Sequence, residues 1–271
     1  MMGEIFIPSK QTPIMKNNPF LLPVLFVLAL AGSSCNSTYK SQQLAYESYT
    51  INDSLQKDSV LINFLAPYKA NVNMLMSEVV GHVEINMEKK TPESELGNFM
   101  TDAYLHMAKE KYKTNVDAAI MNYGGIRLHQ LPAGNITRGR VFELMPFDNL
   151  LILQKLKGTV LQALLDHTAS LGGWPVAGIS MQIKNLPAGQ VGKKAVNVLI
   201  GGKPIDLEKI YTVANSDYVA NGGDNAFVLK NIPQLSNGYL MRDAIFDYIK
   251  YLNGIGKGIN TKIENRVTNV E

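Results

Sequence analysis

The feature that most constrains the fold is the alternation of helix-type and strand-type hydrophobic patterns from about residue 58 to residue 271. The run "TPESELGNFMTDAYLHMAKEKYK" has helical spacing, with Thr91 or Ser94 as N-cap, acids in its first turn and lysines in its last. The short apolar runs "VDAAIMN", "LLILQKL", "GISMQI", "AVNVLI" and "IYTVAN" are typical of strands. This alternation, without long linkers or internal repeats, predicts one α/β domain and leaves the strand order open.

Further elements are predicted around these strands. "DSVLINFLAPYKANVNMLMSEVV" has helical spacing, and we expect Pro67 to bend or unwind that helix. Gly158 breaks the strand "LLILQKL" before the helix "TVLQALLDHTASL". "NGYLMRDAIFDYIKYLN" predicts the last helix, and "TKIENRV" predicts the final strand.

The first 34 residues have the layout of a secretory signal. Lys16 precedes an apolar run from Phe20 to Ala31, which is shorter than the ~20 residues that a transmembrane helix needs. Small residues then lead to Cys35, the single cysteine, in an order that resembles a bacterial lipobox. We therefore expect a lipoprotein signal peptide over residues 1–34 with Met15 as the true start. Gly32 stands where leucine is commonest, and a plain cleaved signal with an incidental cysteine is the alternative.

The segment after the signal is polar and without a sustained period. Residues 35–57 are therefore expected to be a lipidated cysteine and a tether, with the folded domain at 58–271. This organisation predicts a bacterial cell-envelope protein that is periplasmic and held at a membrane by its lipid.

Charge and motif content exclude several functional classes. The net charge is +3 and no basic stripe occurs, so a nucleic acid polymer is not an expected partner. The sequence has no GxxxxGK[ST], GxGxxG or GxSxG motif. Its four histidines lack metal-ligand spacing, and Asp166 and His167 are neighbours in a helix that point in different directions. We therefore expect neither a di-metal centre nor a thiol nucleophile in this chain.

The first of three polar loops is "NYGGIR". Gly124 and Gly125 can adopt positive φ and let the backbone approach a ligand closely. Arg127 offers a planar fork that matches a phosphate or carboxylate, and Asn122 adds an amide. The alternative is a tight turn with a surface arginine.

The second loop is "MPFDN", which contains Phe147 and Asn149. Phe147 follows a proline and lies among polar residues, so its ring is expected to be exposed and available to stack on a base. A core phenylalanine is the alternative.

The third loop is "NSDYVANGGDNAF". A second Gly-Gly pair, Gly222–Gly223, precedes Asp224, whose carboxylate can accept from two vicinal hydroxyls of a ribose. Tyr218 could close over a base; a strand-end turn with a solvated acid and a packed tyrosine is the alternative. Together the three loops offer an anion fork, two rings and a sugar-binding acid, which describes a nucleotide site.

Five segments, in order, resemble the C-terminal domain of the bacterial and animal 5′-nucleotidases. They are "LGNFMTDAY", "MNYGGIR", "LPAGNITRGRVFELMPFDNLL", "LKGTVLQALLDH" and "NSDYVANGGDNAF", and the resemblance covers roughly residues 45–270. It implies a single α/β domain of sandwiched mixed sheets with helices on the outside. It also implies that the domain binds base, ribose and phosphate and presents the phosphate to a separate N-terminal metallophosphoesterase domain.

The resemblance assigns roles to individual residues. Asn122 and Arg127 resemble the pair that holds the substrate near the scissile phosphate. Phe147 and Tyr218 resemble the two walls of the base clamp, the second of which is usually phenylalanine. Asp224 resembles the ribose-binding aspartate.

The sequence departs from the family in two places. A further family arginine often precedes "LGN", whereas this chain has "ESELGN" with Glu93 and Glu95. The family's di-metal motifs DxHG, GNHE and GHxH do not occur in the 271 residues. We therefore expect the substrate-binding half of a split 5′-nucleotidase, without a cofactor of its own, that works with a separately encoded metallophosphoesterase carrying the divalent metals. The alternatives are a non-enzymatic nucleoside- or nucleotide-binding lipoprotein and a degenerate domain kept for assembly.

Overall fold

A computed structural model describes residues 46–52, 55–187 and 189–270. The predicted signal peptide and Cys35 lie outside the described residues, as does part of the predicted tether. Asp58–Glu271 forms one compact unit. Within the described part of the chain, no helix is both long and apolar enough to cross a bilayer.

The order of the elements follows the predicted alternation. The helices are α1 (Ser59–Met76), α2 (Glu95–Tyr112), α3 (Arg138–Leu144), α4 (Gly158–Ser170), α5 (Asp217–Ala220) and α6 (Met241–Gly254). The strands are β1 (Val79–Val83), β2 (Met87–Glu88), β3 (Ala118–Ile120), β4 (Gln130–Leu131), β5 (Gly134–Thr137), β6 (Leu151–Lys157), β7 (Val176–Ala177), β8 (Ile179–Asn185), β9 (Lys193–Ile200), β10 (Lys203–Pro204), β11 (Ile210–Ser216), β12 (Gln234–Leu235) and β13 (Val267–Val270).

Two mixed sheets form the framework. The five-stranded sheet has the order β12-β6-β11-β3-β7, in which β11 is parallel to β3 and antiparallel to β6. The four-stranded sheet has the order β10-β9-β8-β13, with β13 parallel to β8. Two short antiparallel pairs, β1 with β5 and β2 with β4, complete the strands. The strand order, which the sequence pattern left open, therefore joins segments that are distant along the chain.

The five-stranded sheet separates two hydrophobic cores. Because successive strand residues point to opposite faces, Ala119 and Met121 enter the first core and Ala118 and Ile120 the second. The first core is filled by α2 and α6, and the second by α4 and the inner face of the four-stranded sheet. Sandwiched mixed sheets with helices on an outer face are thus confirmed, and α4 is packed against both sheets.

Local signals at two element ends have clear structural causes. Ser94, not Thr91, caps α2, and its hydroxyl accepts from the Gly97 N–H at 3.0 Å. Gly158 is the first residue of α4, where a Cβ would lie 2.0 Å from the Asp206 carbonyl oxygen. A glycine is needed there because another backbone passes against it.

The prediction of a final strand at "TKIENRV" is wrong, because only Val267 of that run lies in β13. Glu93 accepts hydrogen bonds from the backbone N–H groups of Glu264 and Arg266, both at 2.9 Å. The Arg266 side chain pairs with Asp102 at 2.7 Å. These donors are held by side chains rather than by a strand, so the ladder begins only at Val267. Glu93, a departure from the family pattern, thus fixes the C-terminal segment.

Helix α1 differs from the others because none of its residues is buried. Asp58 caps it by accepting from two backbone N–H groups. The helix is continuous through Pro67, so the expected unwinding does not occur. The carbonyl that loses its partner to a proline lies on a solvent-exposed helix, where water can satisfy it. Its exposed apolar side chains include those of Val60, Phe64, Tyr68, Val72 and Leu75.

Candidate functional site

Sheet topology brings the three polar loops to one edge of the five-stranded sheet. The parallel strands β3 and β11 end at the same edge, and they lead into the loops with Asn122 and Tyr218. The neighbouring strand β6 is antiparallel, so its first residue, Leu151, pairs with Ser216 at the end of β11. The loop with Phe147 precedes Leu151 and therefore reaches that edge as well.

The three loops enclose a cavity of about 340 Å³, within the range of small-molecule sites. Eight of the ten predicted substrate-binding residues line it: Asn122, Gly124, Gly125, Arg127, Phe147, Asn149, Tyr218 and Asp224. Larger concavities exist, such as one of about 600 Å³ beside Glu78 and Arg138, but those two residues are paired with each other. The smaller cavity combines exposed rings with a cation, Arg127, that forms no ion pair with any carboxylate in the described part of the chain.

Asp224 is held at the centre of this site by its neighbours. Its Oδ2 accepts from Asn122 Nδ2 at 2.6 Å, and its Oδ1 accepts from the Tyr218 hydroxyl at 2.9 Å. The Asp224 N–H donates to the same tyrosine oxygen at 3.2 Å. Its carbonyl oxygen lies 2.9 Å from His167 Nε2, which must carry the hydrogen because a carbonyl only accepts.

The rings of Phe147 and Tyr218 remain accessible. Their exposed fractions are 40% and 44%, so the prediction of an exposed Phe147 is confirmed. Asp217 links their two segments, because its Oδ1 accepts from the N–H groups of Leu150 and Tyr218 at 3.0 and 2.8 Å. The two walls of the cavity are therefore fixed relative to one another.

The cationic end of the cavity is formed by Arg127. Its guanidinium makes one long contact of 3.4 Å to the Gly124 carbonyl and lies 5.7 Å from the centre of the Phe147 ring. Among the described residues it has no carboxylate partner within ion-pair distance. Its donors are therefore available to an anion.

Lys89 adds a second positive charge beside this loop. Its Nζ donates to the Ile126 carbonyl at 2.8 Å and lies 4.0 Å from the centre of the Tyr123 ring. Burial lowers the pKa of Lys89, and the charge of Arg127 lowers it further. An anion between these cations would be attracted by both charges.

The four glycines play different parts from those expected of them. Gly124 and Gly125 belong to a 3₁₀ turn and have no positive φ; a Cβ on Gly125 would lie 3.1 Å from Asn122 Oδ1. Gly222 has φ 92° and starts the turn that carries Asp224. A Cβ on Gly223 would lie 2.4 Å from the Tyr218 ring. Gly222 and Gly223 do not line the cavity, but Gly223 lies against the Tyr218 ring, which does.

Sequence patterns missed several positioning residues. Arg242 on α6 is buried, donates to Asp148 Oδ1 at 2.6 Å and contacts the Phe147 carbonyl at 3.3 Å, so it holds the Phe147 loop. His167 anchors the Asp224 backbone, whereas Asp166 accepts from the Ala195 N–H on β9. Asp166 and His167 thus serve different elements, as their helical adjacency predicted. The isolated residues carry no spacing motif that would reveal these roles.

Metal binding finds no support in the described part of the chain, which holds no group of three or more His, Cys, Asp or Glu side chains suited to an ion.

Comparison with known proteins identifies the family to which the chain belongs. The profile of the 5′-nucleotidase C-terminal domain matches residues 79–231, which is more than half of the chain. The chain belongs to this family. Both the Asn122–Arg127 loop and the Tyr218–Asp224 segment fall inside the matched region.

Individual relatives agree with the family match. A 5′-nucleotidase of Vibrio vulnificus is 28% identical over 225 residues, covering 78% of this chain and 37% of that protein. A trifunctional nucleotide phosphoesterase of Bacillus subtilis is 30% identical over 221 residues, covering 76% of this chain and 15% of that protein. The crystal structure of a 5′-nucleotidase precursor from Thermus thermophilus superposes with a TM-score of 0.67 at 29% identity, covering 77% of this chain and 43% of that one. The chain therefore spans less than half the length of each of these proteins.

Proposed function

We propose that this domain binds a nucleoside or nucleotide in the cavity between the three loops. The observation that carries the proposal is the meeting of Arg127, Phe147, Tyr218 and Asp224 around one space of about 340 Å³. The two rings would take the base between them, the carboxylate would accept from the ribose hydroxyls, and Arg127 would hold the phosphate. Asn122 and Asn149 would add amide contacts, and Gly124 and Gly125, which line the cavity, would allow close backbone approach.

Charge placement supports this orientation of the ligand. Arg127 and Asp224 both line this cavity, one as a cation and one as a carboxylate. A nucleoside monophosphate has a matching polarity, because its phosphate accepts hydrogen bonds while its ribose hydroxyls can donate them. Lys89 would strengthen the phosphate end through its charge beside Ile126.

We further propose that this chain is the substrate-binding half of a split 5′-nucleotidase. It would present the phosphate to a separate metallophosphoesterase, which would supply the divalent metals and the hydrolytic step. The family match and the cavity support the substrate-binding role, and the 271 residues contain none of the family's di-metal motifs.

The test combines binding with turnover. Calorimetry of the full chain with adenosine and AMP is expected to show saturable binding of both ligands, and AMP hydrolysis with divalent metal is expected only after a candidate metallophosphoesterase is added. Robust turnover by the isolated chain would overturn the split-enzyme proposal. Binding without stimulation by any such partner would favour the alternative, a non-enzymatic nucleoside- or nucleotide-binding lipoprotein.

We also propose that the domain works in the bacterial periplasm, tethered to a membrane through Cys35. The order of the lysine, the apolar run and the small residues before Cys35 supports this proposal. Labelling with a radioactive fatty acid is expected to mark the wild type and not Cys35→Ala. An equally labelled variant would show that the lipid is attached elsewhere.

A further inference from the structure

Tyr218 makes more contacts with Asp224 than a ring in a base clamp requires. Its phenolic oxygen donates to Asp224 Oδ1 at 2.9 Å and accepts from the Asp224 N–H at 3.2 Å, so it closes a hydrogen-bonded ring with one residue. The family resemblance implies that this position is usually phenylalanine, which could supply the aromatic face but neither hydrogen bond.

The backbone of Asp224 has a conformation that benefits from such support. Its φ and ψ are 49° and 34°, in the left-handed region that residues other than glycine seldom occupy. Gly222, with φ 92°, precedes it in the same turn. The Tyr218 and His167 contacts at its N–H and carbonyl therefore help to hold a turn that aims the carboxylate at the cavity.

The Tyr218 ring is itself fixed in place. A Cβ at position 223 would lie 2.4–2.6 Å from three of its atoms, so the ring lies directly on the Gly223 backbone. With its edge bonded to Asp224 and one face on Gly223, the ring presents its remaining surface to the cavity that it lines together with Phe147.

Both oxygens of Asp224 are engaged before a ligand arrives. A carboxylate offers about four acceptor positions, and the Tyr218 hydroxyl and the Asn122 amide take one on each oxygen. About one position per oxygen then remains, which matches two vicinal hydroxyls. A carboxylate held in this way cannot rotate to compensate for a missing hydroxyl, so an acceptor would be left unpaired.

From these contacts we propose that the Tyr218 hydroxyl is a positioning group for Asp224 and determines how strongly the site selects a ribose with both hydroxyls. The proposal rests on the proposed nucleoside-binding function and refines it. Tyr218 thus serves two purposes: its ring forms a wall for the base, and its oxygen fixes the acid that reads the sugar.

The test is calorimetry on the full chain with adenosine and with 2′,3′-dideoxyadenosine, which lacks both ring hydroxyls. Tyr218→Phe is expected to weaken adenosine binding about 5- to 20-fold. It is expected to change the affinity for dideoxyadenosine less than about twofold, because only adenosine uses the positioned carboxylate. In an Asp224→Ala background, Tyr218→Phe is expected to have no further effect on adenosine. Phe147→Ala is the matched stacking control and is expected to weaken the binding of both ligands by the same factor.

The outcomes separate this inference from the proposed function. Equal weakening of both ligands by Tyr218→Phe, or no weakening of either, would overturn the positioning role while leaving nucleoside binding in place. A persistent effect of Tyr218→Phe in the Asp224→Ala background would also overturn it. A wild type that binds neither ligand would refute the proposed function and this inference together.

Discussion

The amide of Asn122 lies 2.6 Å from the Asp224 carboxylate, although 102 residues separate the two in sequence. Asn122 follows β3 and Asp224 follows β11, and the parallel pairing of those strands brings the two loops together. This hydrogen bond joins the loop with the predicted phosphate contacts to the loop with the predicted sugar contacts.

Replacing this amide by a second carboxylate gives a pH-dependent prediction. In Asn122→Asp, two acids within hydrogen-bond distance cannot both ionise without repulsion, so adenosine affinity is expected to fall at least about tenfold at neutral pH. Lowering the pH to about 5 should protonate one of them and restore part of the affinity. Calorimetry at both pH values checks this. Asn122→Ala is the control, and an equal pH response in that variant would contradict the explanation.

Removing the Phe147 ring tests the stacking wall. Phe147→Ala is expected to weaken adenosine binding about 5- to 150-fold, the range for loss of one base–aromatic stack. Fluorescence or calorimetric titration measures the change. Phe147→Tyr keeps the ring and should retain affinity, whereas a similar loss in both variants would show that stacking is not the cause.

Arg127 is expected to distinguish nucleotide from nucleoside. Arg127→Ala should weaken AMP about 10- to 100-fold, because charge-assisted hydrogen bonds to the phosphate are lost, while adenosine affinity stays nearly unchanged. Lys89→Ala should show the same selectivity with a smaller effect, since its Nζ is engaged by the Ile126 carbonyl. Paired titrations with AMP and adenosine at low and high salt check both variants. A matching loss for adenosine would assign these cations a structural role instead.

Arg242 is expected to act on the site through the Phe147 loop. Arg242→Met keeps the apolar stem but leaves the Phe147 carbonyl and Asp148 without this donor, so we expect adenosine affinity to fall several-fold and unfolding free energy to drop by about 1–3 kcal/mol. Arg140→Met is the matched control, because Arg140 forms an exposed pair with Glu143 away from the cavity. Denaturant unfolding and calorimetry measure the two effects. Equal behaviour of both variants would contradict the positioning role.

Asp247 gives a stability prediction with a defined pH direction. Burial raises the pKa of this carboxyl, but hydrogen bonds from Lys111 and Tyr239, both at 2.7 Å, outweigh it and hold the pKa below its usual value. A depressed acid pKa contributes stability that is present above the unfolded pKa and is lost as pH falls through the folded one. Because the pair is partly exposed, Asp247→Asn should cost no more than about 1 kcal/mol at neutral pH.

Urea unfolding of wild type and Asp247→Asn at several pH values measures this difference. The gap between the two proteins is expected to narrow as the pH is lowered through the acidic range, since wild-type Asp247 becomes neutral there. If the difference in unfolding free energy between the two proteins stayed constant through the acidic range, the charge of Asp247 would contribute nothing to stability.

Much of the fold was predictable because its signals are local. Residues 95–112 show a helical period, residues 151–157 begin with an apolar run typical of a strand, and the Ser94 hydroxyl marks the start of its helix. The final strand was misplaced for the opposite reason. Glu93, about 170 residues away, holds the Glu264 and Arg266 N–H groups that a strand would have used.

The candidate site divides in the same way. The chemistry and order of the residues were enough to predict a site formed by Asn122, Arg127, Phe147, Tyr218 and Asp224. An anion-binding guanidinium, an aromatic ring and a sugar-binding carboxylate are properties of single side chains. Only the tertiary structure decided that they share one cavity, that Tyr218 and Asn122 hold both carboxylate oxygens, and that Arg242 and His167 support the walls. The periodicity of a sequence reflects contacts between residues a few positions apart. The contacts in this site depend instead on the register of the strands, and the packing of the whole sheet fixes that register.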